Sequence, residues 1–258
     1  MRGLVAVLGI PLILTLTFAA RGQAPKAAPP KAVQQKSSFV DRVLSFLGIS
    51  DSPGTLKGPG DEVSSGELWV VDLESQTRRA IAPGRHYRSP VFAPDGKEIL
   101  ALTGGDVVRL SLGSQETIKL FPVVDVSKLV GFSSAEPDSL LILQSGGAGR
   151  HSRVGLLAIS TAKLTALSYD PASESDLQMV ENLEGWTRNY GGKQLYVRRQ
   201  TKQTLSGTVE WSDVFLQVDS KEPRDVSLCD GANCGQPSLS ADGRLLVYVK
   251  APLEYRLR

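Results

Sequence analysis

Two stretches far apart in the chain repeat one another, and nothing else in the sequence constrains the fold as much. PVFAPDGKEILAL (90–102) and PSLSADGRLLVYV (237–249) share a proline, a large apolar residue, an Asp-Gly pair, a basic residue and an apolar run in one register. Asp95-Gly96 and Asp242-Gly243 each stand between two apolar runs, which is a hairpin signal with a physical cause. Gly tolerates positive φ and Asp bonds nearby backbone amides. GGKQLYV (191–197) is a weaker copy with Gly191 and Gly192 at the turn, and FSSAEPDSLLIL (132–143) is another with an extra turn residue. The turns fall near residues 96, 138, 192 and 243, about 42, 54 and 51 residues apart, which is the repeat length of propeller blades.

A four-stranded blade needs a second strand pair after each hairpin. Such pairs are present at 107–112 with 117–121, 154–159 with 164–168, and 213–218 with 224–228. The last hairpin has no pair after it, and the pair 67–73 with 77–81 has no hairpin before it. The two halves complete each other if N- and C-terminal strands share one blade, which removes exposed sheet edges. The expected fold is therefore all-β: a β-propeller of four-stranded blades over 66–258, about four in number. A fifth blade hidden in 171–214 and an open repeat array are the alternatives.

These motifs resemble the PD40 repeats of TolB-like proteins, and also the N-terminal propellers of prolyl-oligopeptidase-type peptidases. The resemblance is carried by SPVFAPDGK (89–97), QPSLSADGR (236–244) and ELWVVDL (67–73), the last matching the outer half of a blade. It implies repeat architecture and carries no functional residue, because the matched residues are turn and packing residues. It also implies a periplasmic setting and a segment outside the propeller that contacts a partner. No separate N-terminal α/β domain is recognisable before residue 66.

The first 65 residues read differently. Residues 1–20 have Arg2 before an apolar run from Leu4 to Phe18 and small residues after it, the pattern of a secretory signal peptide. An uncleaved signal anchor is the other reading, and it is the only route by which the chain would meet a membrane. Residues 21–36 are a Pro/Ala/Lys linker and 50–65 a Gly/Pro/Ser linker. Between them, residues 37–49 place Phe39, Val43, Phe46 and Leu47 at helical spacing, with a serine to cap the start. This amphipathic helix either docks on its own propeller or inserts into a partner groove.

The charge balance removes one class of partner. Of 29 basic residues, five (Arg2, Arg21, Lys26, Lys31 and Lys36) precede the first acid, Asp41, which leaves 24 against 27 acidic ones. A folded part that is mildly acidic argues against a nucleic-acid surface. The only cysteines, Cys229 and Cys234, flank the turn sequence DGAN and are expected to form a small disulfide-closed loop in an oxidising compartment. A redox or metal pair is the sharper alternative, but only His86 and His151 are available as further soft ligands. No metal or cofactor is expected.

Catalytic patterns are poor. GFSSA (131–135) lacks the final glycine of a nucleophile elbow and sits in a hairpin, and GGAGRH (146–151) lacks the Lys-Ser/Thr of a phosphate loop. Arg85, His86 and Arg88 precede the first hairpin and are read as a mouth loop able to bind a ligand. Trp186, Tyr190, Tyr196 and Trp211 either line such a mouth or pack between blades. Glu174, Asp176, Glu181 and Glu184 are read as a solvated acidic loop over 171–185. The sequence thus points to an exported, periplasmic or secreted, non-catalytic module that binds an envelope or extracellular protein. A secreted enzyme or glycan-binding protein using the propeller mouth is the alternative, as is an accessory subunit whose open edge another chain completes.

Overall fold

Fifteen strands and two helices make up the described part of the chain. The structure is a computed structural model and describes residues 38–47, 63–133, 136–146, 152–185, 188–190, 192–205, 207–229 and 231–253. The signal sequence, the linker 21–36, most of the linker 50–65, and Trp186, Gly191 and His151 lie outside the described residues.

The strands form three antiparallel sheets, none closed on itself. The largest has seven strands, in the order β14 (Ala232–Leu239), β15 (Leu245–Pro252), β1 (Gly66–Asp72), β2 (Arg78–Phe92), β3 (Glu98–Thr103), β4 (Asp106–Ser111) and β5 (Thr117–Pro122). A second sheet runs β6 (Val126–Phe132), β7 (Ser139–Gln144), β8 (Arg153–Ala158) and β9 (Lys163–Ala166). The third runs β10 (Arg188–Tyr190), β11 (Lys193–Thr204), β12 (Gly207–Val218) and β13 (Arg224–Asp225). The seven-stranded sheet is two four-stranded meanders that share β2. Its first part pairs with β1, from Arg78 opposite Val71 to Tyr87 opposite Gly66 across two register shifts, and its last part pairs with β3, from Arg88 opposite Leu102 to Phe92 opposite Ile99.

The expected pairing of the chain's two ends is present. β1 and β15 run antiparallel from Glu67 opposite Lys250 to Asp72 opposite Leu245. Gly66 makes this contact close, because a Cβ there would run into the Lys250 carbonyl.

The repeated sequence gives repeated turns. Gly96 and Gly243 both adopt φ +68. Gly96 N–H donates to the Ala93 carbonyl at 2.9 Å, and Gly243 N–H to the Ser240 carbonyl at 2.8 Å. Asp95 and Asp242 accept from the amides of Lys97 and Arg244, at 2.9 and 3.0 Å. One further bond recurs in all four meanders: the residue closing the third strand donates to the first hairpin. The pairs are Leu73 to Arg244, Leu112 to Lys97, Ile159 to Asp138 and Asp219 to Gly192, at 2.7–3.0 Å.

Unbroken apolar runs explain the packing. A strand buried on both faces needs apolar residues at every position. In β3, Ile99 and Ala101 join one core cluster while Leu100 and Leu102 join the next. In β7, Leu140 and Ile142 face the β3 side, and Leu141 and Leu143 face the helices. Val247 and Val249 of β15 share the first cluster with β1 and β3, while Leu246 and Tyr248 pack with β11, β12 and the cysteines.

The helices cover the remaining face of β6–β9. α1 (Phe39–Leu47) begins in a reciprocal cap in which the Ser38 hydroxyl accepts from Asp41 N–H, and the Asp41 carboxylate accepts from Ser38 N–H, both at 3.1 Å. Phe39 and Val43 are buried against Leu141, Leu143 and Val154 and against Met179, Val180 and Leu183 of α2 (Glu174–Glu184), with Phe46 and Leu47 partly covered. Of the two sites considered for this helix, the structure has the intramolecular one.

The acidic loop expected over 171–185 is instead α2. Ser173 caps it, and Asp176 is buried, accepting from Asp170 N–H at 2.9 Å. Its C-terminus is held by buried Lys128 of β6, whose ammonium donates to the Glu184 and Gly185 carbonyls at 2.9 and 2.7 Å. A cation there satisfies terminal carbonyls and complements the helix dipole.

Candidate functional site

Two strands outgrow their sheet. β11 and β12 each have 12 residues and pair from Lys193 opposite Val218 to Thr204 opposite Gly207. Among the described residues β10 pairs with β11 only along Lys193–Leu195, and β13 pairs with β12 only at Phe215 and Leu216. Beyond those short neighbours the pair continues as a two-stranded arm. Leu205 at its tip is 111% exposed, the most exposed large apolar side chain among the described residues.

The root of the arm is braced. Its centre is the buried Asp213 carboxylate. Trp211 Nε1–H donates to Oδ2 at 2.7 Å, and Cys229 N–H donates to Oδ1 at 2.7 Å. The Ser227 hydroxyl lies 3.2 Å from Oδ1 and itself accepts from Val214 N–H at 2.8 Å. Burial pushes the Asp213 carboxyl up and the negative charge of Asp225 adds to this, while the bonds from Cys229, Trp211 and Ser227 pull it down. The Tyr248 hydroxyl, raised by burial and so kept neutral, donates to the Ser227 carbonyl at 3.4 Å.

The expected disulfide between Cys229 and Cys234 is formed, with Cα atoms 6.1 Å apart, and both residues are fully buried. Its loop grips the arm as well. The Asn233 side chain accepts from Ser212 N–H at 3.1 Å, and the Ser212 hydroxyl donates to the Cys234 carbonyl at 2.9 Å. This geometry positions an arm. Both Asp213 oxygens accept from these donors, and Ser227 Oγ accepts the Val214 amide proton. Among the described residues no group of three or more His, Cys, Asp or Glu could hold a metal ion.

Arg88, expected in a mouth loop, lies within β2. Its guanidinium reaches across to β6, donating to the Ser127 and Val126 carbonyls at 3.1 Å. His86 is exposed on the same strand, and Tyr87 between them is fully buried. The Arg85 side chain lies outside the described residues. The chain is strand here because β2 passes without a break from one meander to the next. Of the four aromatics, Tyr190 packs on the cluster around the cysteines and Tyr196 stacks on Phe215 at 5.9 Å. Trp211 serves Asp213.

Sequence reasoning missed Asp213 and the arm. A signal for the arm was present: RRQTKQT (198–204) is polar at every position, where a strand facing a core on either side shows apolar residues.

No family model and no curated protein matches the chain. Its structural neighbours are TolB and other β-propeller proteins. A structure assigned as TolB from Agrobacterium tumefaciens is 17% identical, with a TM-score of 0.35 over 70% of this chain and 60% of that one. TolB from Acinetobacter baumannii is 14% identical, with a TM-score of 0.34 over 79% and 49%. The β-propeller domain of the Trilobed protease from Pyrococcus furiosus, described as having an open velcro topology, is 15% identical, with a TM-score of 0.27 over 75% and 63%. The chain thus spans 60% and 49% of the two TolB structures. None of these likenesses transfers a function to it.

Proposed function

We propose that the chain is an exported, non-catalytic module of propeller type that binds another protein of the cell envelope or the extracellular space. Its four meanders act as the blades, the first and last strands share one of them, and α1 and α2 cover the blade face that a further neighbour would otherwise meet. The recurring bond from third strand to first hairpin supports four blades, since it occurs once per meander. The disulfide and the leader pattern of residues 1–20 support export.

The observation that carries the binding role is the arm. A two-stranded ribbon is marginal in water without a third element, yet this one projects beyond its neighbours from a braced root and ends in a bare leucine. The test is photo-crosslinking in the host from the three most exposed large apolar side chains among the described residues: Leu205 at the arm's tip, and Val124 and Leu228 elsewhere in the chain. Ala162, in a polar turn, serves as the control position. Adducts with one envelope or extracellular protein, absent from the control, are expected. An exported chain that yields no protein adduct from any of the three positions overturns the reading.

A further inference from the structure

The arm has a polarity that names its partner. Its β11 half, residues 198–204, carries Arg198, Arg199 and Lys202 and no acid. All three cations are exposed. Register places Arg198, Gln200 and Lys202 on one face, with Asp213, Trp211 and Val209 across from them in turn. The Asp213 carboxylate is buried at the root and bonded to Trp211, Ser227 and Cys229. Arg199 falls on the other face, 3.9 Å from Glu210, the acid of the distal β12 half. The Arg198 guanidinium is steadied over the Phe215 ring, 5.6 Å from its centroid.

The two edges of the arm differ. On the β12 side, the disulfide loop bonds Ser212 through Asn233 and Cys234. On the β11 side, the last described pair with the neighbouring strand is Arg188 opposite Leu195, and among the described residues no further strand pairs with that edge. A strand edge is a template for another strand. A second copy of this chain fits it badly, because antiparallel pairing of two such edges sets cations against cations across the ladder. An acidic strand reverses that sign.

We propose that the β11 edge of the arm, from Arg198 to Gln203, receives an extended acidic segment of a partner protein as an added strand, with Arg198 and Lys202 facing its carboxylates. This rests on the protein-binding reading above and supplies its chemistry. Backbone bonds of the added strand give general affinity, and the two cations select for acidic side chains at alternate positions on one face. The disulfide loop and Asp213 hold the arm in place before the partner arrives, which lowers the ordering cost of binding.

The experiment uses the purified oxidised chain and two dye-labelled peptides, one alternating Glu with Val and one alternating Lys with Val. Anisotropy at low salt is expected to show the Glu peptide binding at least about tenfold more tightly. Hydrogen exchange is expected to slow at residues 198–203 when it binds, which a purely electrostatic contact would not produce. The double variant Arg198→Glu/Lys202→Glu should reverse the preference. Replacing residues 201–210 by an Asn-Gly turn should abolish binding, with thermal unfolding and an intact disulfide showing that this variant folds. Equal affinity for the two peptides, binding retained without the arm, or arm-dependent dimers in sedimentation overturns the proposal. Crosslinks to a protein from Val124 or Leu228, without any peptide preference, would remove the acidic strand and leave the binding role standing.

Discussion

Asp213 sets a local contest between burial and hydrogen bonding. Its carboxyl lies above the ordinary value of 3.8 chiefly because it is buried. A carboxyl raised on folding favours the folded state in its protonated form. Its contribution to stability is therefore complete below pH 3.8 and is lost as pH rises through the raised value. Asp213→Asn does not titrate, and its amide can no longer serve the donors at Cys229 and Trp211 together. We expect the variant to lose about 1–3 kcal/mol. The deficit relative to the parent should be largest under acid conditions and shrink toward neutral pH. Denaturant midpoints on either side of the raised value check both the size and the slope. Asp72 and Asp242 have the opposite shift, held low by amide and hydroxyl donors in exposed turns, so their contribution appears above their ordinary range and is lost as pH falls.

The elements divide by how locally they are determined. Asp95-Gly96 and Asp242-Gly243 were legible because a turn of this kind is decided by a few adjacent residues, and the two copies adopt the same bonds. α1 was legible from spacing and cap alone. α2 announced itself more quietly, with Ser173 three residues before Asp176 and with Val180 and Leu183 behind them, but its four acids drew attention to the wrong face. The grip of the disulfide loop on the arm was not legible, since Ser212 meets Asn233 and Cys234 only after β12 and β14 are set side by side. That loop is short, so its closure constrains the unfolded chain modestly. Replacing both cysteines by serine should cost about 2 kcal/mol on closure entropy. Because the loop also braces the root, hydrogen exchange across 198–213 should accelerate more than in β3 or β7. Equal acceleration in all three would deny the brace. Lys128→Met, which removes the cation from the α2 terminus, should cost a further independent amount of about 1–3 kcal/mol, read from thermal melts.

At the scale of the whole molecule, one junction joins strands far apart in the chain, from Glu67 opposite Lys250 to Asp72 opposite Leu245. Four clusters stack along the series of sheets, and β1 with β15 supplies apolar side chains to two of them. The junction is clasped outside the ladder as well. Arg244 lies 3.6 Å from Asp72 and 3.5 Å from Glu74, and Lys193 donates to the Gly243 carbonyl at 2.9 Å, which ties the third sheet to the same corner. The side chain of Gln236 joins three segments, donating to the carbonyls of Val63 and Ser64 and accepting from Ser89 N–H at 2.6 Å. If the ends close the structure, a change confined to the junction should loosen every sheet. Gly66→Ala is such a change, because its methyl meets the Lys250 backbone, which cannot give way without shifting the β1–β15 register. We expect a loss of about 2–3 kcal/mol with a single unfolding transition, and faster hydrogen exchange in β7 of the distant second sheet as well as in β15. Exchange that rises in β15 alone would mean that the sheets stand independently and that the shared blade is a local join. Exchange rising in β7 to the same degree would make the pairing of the two ends the element on which the whole stack depends.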